Sequence, residues 1–188
     1  MDEFNLSQNR DCGQLWLDDR RLLWQTVREL KPKLAAETGT WRGGGSTFFI
    51  TSAMKMNGFG LLYSVENDRT AFYDAEWAYG KKWSHLRPHL HLTFGNSLTT
   101  YRALLREVKL DFVMLDGGEA VTSAEFDLLA PKVRVGGVVM VHDWYSGKRV
   151  PRLEEEAIDG KWELMVIGTG DGNFESGSVG LAKAVKLR

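Results

Sequence analysis

A single cysteine, Cys12, in 188 residues rules out an internal disulfide, and the opening residues MDEFNLSQNR have neither the basic start nor the apolar run of a secretory signal. Both absences read as a reduced, cytoplasmic protein. No stretch approaches the roughly 20 consecutive apolar residues of a membrane span, so no membrane partner is expected. An excess of charge of one sign is also missing. The 24 basic and 25 acidic residues leave a formal net charge of -1, too little for a global field that would draw in nucleic acid. Neither an internal repeat nor a low-complexity linker is visible.

What is present is an ordinary globular composition, 43% hydrophobic and 26% charged, which sets aside disorder and coiled coil. The length reads as a single domain over 1–188, with a leading helical segment over 1–32 and an α/β core over 33–188. Seven tryptophans are many for this length. Of these, Trp16, Trp24, Trp77 and Trp162 fall in periodic segments and are expected as core or helix-packing anchors.

Leu15, Trp16, Leu22, Leu23, Val27 and Leu30 recur at near-helical spacing until Pro32 stops them, which predicts a helix over 14–30. Strand and helix signals then alternate. Strands are expected over 33–37, 61–65, 89–94, 111–115 and 138–141. The helices between them run from Ser46, acting as cap, to about Met56; from Asn67 or Asp68 to near Gly80; over 98–108; and over 123–133. A short helix carrying Glu154, Glu155 and Glu156 as a solvated face follows. Two last strands, 162–167 and 179–185, are joined by the Gly-rich TGDGNFESGS. Repeated strand–helix units specify a largely parallel, doubly wound sheet covered on both faces.

In such a sheet ligands bind beyond the C-terminal strand ends. The first of these ends carries ETGTWRGGGST (37–47), in which an acid is followed by glycines at 39, 43, 44 and 45 and a helix start. Glycines let the backbone approach a ligand, and a helix N-terminus offers free N–H groups. The spacing is not G-x-G-x-x-G, and Glu37 would repel a pyrophosphate while attracting an ammonium group. A structural Gly-rich turn is the plain alternative. Glu66, ending the second strand, stands where a ribose-binding carboxylate belongs in either cofactor class, or where an exposed acid simply caps a helix beside Asn67.

These segments, with YSVEN at 63–67, LTFGNS at 92–97 and DFVMLDGGEAVTSAEFDLLAPKVRVGGVVMVHDW at 111–144, resemble a class I S-adenosylmethionine-dependent methyltransferase. The small-molecule group called methyltransferase family 24 is the nearest match. The matches cover about 33–144, and SVGLAKAVK near the end is similar to that family's last strand.

The resemblance implies a Rossmann-like, three-layer α/β/α fold whose seven-stranded sheet has the order 3-2-1-4-5-7-6 with only the last strand antiparallel. It places Glu37, Gly39, Thr40, Trp41, Gly43 and Ser46 around the methionyl part, Glu66 and Asn67 at the ribose, Asn96 and Ser97 beside the adenine, and Asp116 against the cofactor. Two departures stand out. The glycine loop carries one extra residue, and the family's D-G-D-H is here Asp116-Gly117-Gly118-Glu119.

Alternation along a strand puts Phe112, Met114 and Asp116 on one face, and leaves Asp111 roughly 17 Å away at the wrong end of the sheet. Asp116 and Asp143 end neighbouring strands in the inferred order. Two such carboxylates share a proton or hold a hard cation such as Mg²⁺, which would orient an acceptor hydroxyl. Alternatively, Asp116 contacts cofactor and Asp143 closes a hydrogen-bond network. His142 is a candidate general base, although alternation turns it away from a cleft that Asp143 faces; Glu119 is a second candidate.

In GKKWSHLRPHLH (80–91) Pro88 breaks any helical pairing of histidines and no cysteine is near, so a solvated connection is expected rather than zinc. Lys148, Arg149 and Arg152 hint at an acidic acceptor. The favoured reading is methyl transfer to a small-molecule oxygen, with the loop 145–152 and the leading helix recognising the acceptor. An N-methyltransferase, a nicotinamide-dependent oxidoreductase and a non-catalytic nucleoside-binding module are the rivals. A second copy of the chain is a candidate to complete so shallow a site.

Overall fold

The computed structural model describes residues 15–168 and 179–188; Cys12 and the glycine-rich connection 169–178 lie outside them. Helix α1 (Leu17–Leu30) places Asp19, Leu23, Thr26 and Val27 on one buried stripe, and its capping box pairs the Trp16 N–H with Asp19 Oδ2 at 3.0 Å. Lys31 ends it in the left-handed conformation just before Pro32.

Strands β1 (Leu34–Thr38), β2 (Leu61–Glu66), β3 (Leu90–Phe94), β4 (Leu110–Leu115), β5 (Val133–His142), β6 (Trp162–Ile167) and β7 (Leu181–Lys186) form one sheet. Its order is β3-β2-β1-β4-β5-β7-β6. Only β7 runs against its neighbours. This is the Rossmann-like topology that the resemblance implied. It reverses direction of winding at β1 and β4, whose C-terminal ends therefore open a crevice.

Helices α2 (Ser46–Asn57), α3 (Arg69–Gly80), α4 (Ser97–Leu104), α5 (Thr122–Leu129) and α6 (Pro151–Ile158) complete the layers. Alternation along β4 divides the core between them. Phe112 and Met114 pack with residues of α1, α2 and α3, whereas Val113 and Leu115 pack with residues of α4, α5 and α6. Along β5, Val138 and Met140 join the first cluster, and Val139 and Val141 the second.

Several expectations need correction. Ser46 is the first residue of α2, and Gly45 is its N-cap. Helix α4 stops at Leu104, and the run after Leu129 tightens into a 3₁₀ turn over Ala130–Lys132. Strand β5 begins five residues early because Gly136 and Gly137 lie within it, beside a register irregularity opposite 110–112. Trp24 and Trp162 are buried as expected, but Trp16 and Trp77 are exposed. Of the three glutamates expected on a solvated face only Glu155 is exposed; Glu154 and Glu156 are half-buried, and Glu156 accepts the Trp162 indole N–H at 2.9 Å. The segment 84–89 is a 3₁₀ helix, with the His89 ring on the Gly60 carbonyl. No helix among the described residues is long and apolar enough to cross a membrane.

Candidate active site

The C-terminal ends of β1, β2, β4 and β5 surround a cavity of about 370 Å³. It is lined by Gly39, Trp41, Ser46, Glu66 and Asn67, by Asp116, Gly117, His142 and Lys148, and by Leu15 from the leading segment. A smaller cavity of about 60 Å³ adjoins it, lined by Asn67, Gly95, Asn96, Ser97, Gly117 and Glu125 among others.

Glu37 lies directly behind this lining and is wholly buried. Its Oε2 accepts hydrogen bonds from Thr47 Oγ1 and Ser64 Oγ, both at 2.6 Å, and the Ser64 hydroxyl also meets Thr40 Oγ1. Its Oε1 has no partner. Burial, only partly offset by the hydroxyls of Ser46, Ser64 and Thr47, pushes this carboxyl up to about 7. A buried acid kept short of one hydrogen bond is what an incoming ammonium or N–H donor would satisfy.

Gly39 has a positive φ of 79°, and a β-carbon built there would lie 2.2 Å from the Asp116 carbonyl oxygen. The loop can therefore fold over β4 only with glycine at this place. Glu66 is buried at the end of β2, where Oε2 accepts the Trp41 N–H at 2.6 Å and Oε1 the Asp68 N–H at 2.8 Å. Trp41 itself is in the left-handed region (φ 52°) and exposed. Gly43 packs against Tyr79, whose hydroxyl donates to the Gly43 carbonyl at 3.1 Å. Asn96 caps α4 through the Thr99 N–H, and Ser97 donates to Glu125 Oε1 at 2.5 Å. Asp111 is at the opposite end of β4, holding the Lys33 and Leu34 N–H groups.

At the β5 end alternation holds through His142, on the face of Val138 and Met140, and breaks only at Asp143. Leu115 pairs with Val141, so the next two residues, Asp116 and His142, stand side by side. Asp143 adopts the left-handed conformation (φ 56°), which ends the strand and returns its side chain to the same side as His142. Consequently His142 faces the cleft, and the expectation that it turns away is overturned. His142 Nδ1 is 3.2 Å from both Asp116 Oδ1 and Asp143 Oδ1, and Nε2 is 3.9 Å from Asp19 Oδ2 on α1.

Burial works to lower the imidazole's affinity for its proton, but Asp116, Asp143 and Asp19 outweigh it and raise the pKa above 6.5. Burial alone would raise Asp116; His142 and Lys148 more than reverse that and hold it below the usual carboxylate range.

Donor atoms of Asp116, His142 and Asp143 all lie within 4.8 Å of one another, a grouping that suits a metal ion on spacing alone. Lys148 contradicts that fit. Its Nζ is 2.8 Å from Asp116 Oδ1 and 2.8 Å from Asp143 Oδ2, between the two carboxylates. A divalent ion needs those oxygens at about 2.0–2.6 Å and repels an ammonium in the same place. Lys148 is thus buried within the site and is not an exposed cation awaiting an acid. Arg149 pairs with Glu154, and Arg152 with Asp127 and Glu156, on the surface. Glu119 is exposed beside Gly147.

Three contributors escaped the sequence reading. Asp19 and Glu125 each sit on the apolar stripe of a helix, Glu125 in line with Thr122, Phe126 and Leu129, and an acid on such a stripe is the signal that could have found them. Tyr101 gave no such signal. Its hydroxyl accepts the Glu37 N–H at 3.0 Å and faces the carbonyls of Glu37 and Tyr63.

Residues 36–144 match a family model described as a methyltransferase domain. The chain belongs to this methyltransferase family. Among solved structures the methyltransferase is similar to the O-methyltransferase TomG of Streptomyces achromogenes, which is involved in tomaymycin synthesis and was solved with SAM. They share 18% identity over 93% of this chain and 82% of that one, with a TM-score of 0.73. An O-methyltransferase from Bacillus cereus, solved with SAH, gives 17% identity over 90% and 80% at a TM-score of 0.70. SAH-bound PaMTH1 of Podospora anserina gives 12% over 96% and 83% at 0.71. At these identities the likeness is one of fold. No curated protein matches the chain by sequence.

Proposed function

We propose that this methyltransferase uses S-adenosylmethionine to methylate an oxygen of a small-molecule acceptor. The observation that carries the reading is the shared cavity. The Gly39–Ser46 loop and Glu66 line it together with Asp116, His142 and Lys148, so donor and acceptor would share one cavity. A cavity of this size suits small molecules.

Glu37 and the loop through Gly39, Thr40, Trp41, Gly43 and Ser46 would hold the methionyl end, where the unpartnered Glu37 Oε1 suits an ammonium. Glu66 and Asn67 would take the ribose hydroxyls, and Asn96 and Ser97 the adenine edge in the adjoining cavity. When bound, the cofactor supplies a methyl group already activated on a positive sulfur. The protein's own work is alignment and proton removal. Asp116 and His142 line the cavity and are the groups that would take up the hydroxyl proton, with Asp143 held against His142 behind them. Leu15 and Lys148, which also line the cavity, would shape the acceptor end.

Titration calorimetry with S-adenosylhomocysteine tests the cofactor assignment. Binding that weakens about 10- to 100-fold in Glu66→Ala is expected, the loss of hydrogen bonds to a charged group. Binding of NAD in preference to S-adenosylhomocysteine would overturn the assignment. Radiolabelled methyl transfer across a panel of hydroxyl and amine acceptors then tests the choice of oxygen.

A further inference from the structure

Lys148 reaches the strand ends by a defined path. After the left-handed Asp143 the chain makes a 3₁₀ turn over Trp144–Ser146, and Gly147 reverses it with a φ of 122°. The Ser146 and Lys148 N–H groups both donate to the Asp143 carbonyl, at 3.0 and 3.2 Å. This turn carries the Lys148 side chain back over the residue that began it. The ammonium then meets Asp116 Oδ1 and Asp143 Oδ2 at 2.8 Å each and the Asp116 carbonyl oxygen at 3.5 Å. Its side chain is only 9% exposed, so water takes little part in neutralising the two acids.

These contacts are short, charge-assisted hydrogen bonds from a fixed backbone turn. They place one positive charge between two carboxylates that otherwise share only the His142 imidazole, 3.2 Å from each. We propose that Lys148 is the permanent cation of this site, filling the position between Asp116 and Asp143 that a divalent ion would take, so that the protein binds no divalent metal there. Resting on the methyl-transfer reading, this makes a side chain the bearer of positive charge at the acceptor end of the cavity.

Electron paramagnetic resonance of Mn²⁺, titrated with the full-length protein, tests the inference without any acceptor or turnover. Wild type should leave the free-ion signal undiminished, whereas Lys148→Ala should take up one equivalent, and adding Asp143→Asn to that variant should abolish the uptake. Lys148→Ser, which keeps a small polar group, serves if the alanine variant does not fold. Stoichiometric uptake by the wild type that Asp143→Asn removes would overturn the proposal, and this arm needs no lysine variant. Failure of folded lysine variants to bind Mn²⁺ would overturn it too, since the carboxylates would then not form a cation site at all. S-adenosylhomocysteine binding measured on the same samples separates failure of this inference from failure of the cofactor assignment.

Discussion

The Gly39 α-carbon approaches the backbone of Asp116 so closely that a β-carbon would lie 2.2 Å from its carbonyl oxygen. This contact is between the ends of β1 and β4, where the sheet's winding reverses. Gly39→Ala should therefore push the two strand ends apart, in a loop that also needs a positive φ. Chemical denaturation should show a loss of roughly 2–4 kcal/mol from overpacking combined with backbone strain. Calorimetry on the folded fraction should show that S-adenosylhomocysteine binding is lost.

Glu37 links stability to pH with a sign opposite to most carboxylates. Its folded pKa of about 7 lies above the ordinary 4.5 of a glutamate, so the folded state binds the proton more tightly than the unfolded chain. Stability contributed by this group is present below 4.5 and is lost as pH rises through 7. Glu37→Gln should accordingly stabilise the ligand-free protein at pH 8, by at most roughly 3 kcal/mol on the linkage scale, and change little at pH 4.5. Thermal melts across that range check it. The same substitution should weaken S-adenosylhomocysteine binding at pH 8, and wild-type affinity should itself fall as pH drops below 7.

Tyr101 ties α4 to the end of β1. In Tyr101→Phe the Glu37 N–H and the Glu37 and Tyr63 carbonyls lose a hydroxyl partner in a dry interior. A loss of about 1–3 kcal/mol in denaturant unfolding is expected, with hydrogen exchange accelerating at the Glu37 amide.

The Asp19–His142 contact joins the leading helix to the site. NMR of the imidazole should show His142 titrating above 6.5, because three carboxylates outweigh its burial. Asp19→Asn should bring that midpoint down. The stability that this raised pKa supplies is present below 6.5 and is lost as pH rises through the folded value, so the wild type should exceed Asp19→Asn most on the acid side.

Much of this molecule was legible without coordinates. Strand alternation correctly put Asp116 on the face of Phe112 and Met114, and the run from Glu37 to Ser46 announced a backbone loop at a strand end. These features are local: periodicity, turn residues and a motif whose members are neighbours in the chain. Alternation held through His142, which keeps the face of Val138 and Met140, and broke only at Asp143, which leaves the strand in the left-handed conformation.

The sequence by itself determined the order of strands and helices, the single-sheet architecture and the family. Only the tertiary structure decided what stands between the two acids. Lys148, distant from Asp116 in sequence, looked like one more surface cation, and only the reversal at Gly147 carries it into a buried pair. Asp19 and Glu125 likewise became part of the site only when their helices docked. Charges separated along the chain act on one another through space, and the distances that set their strength exist only in the folded state.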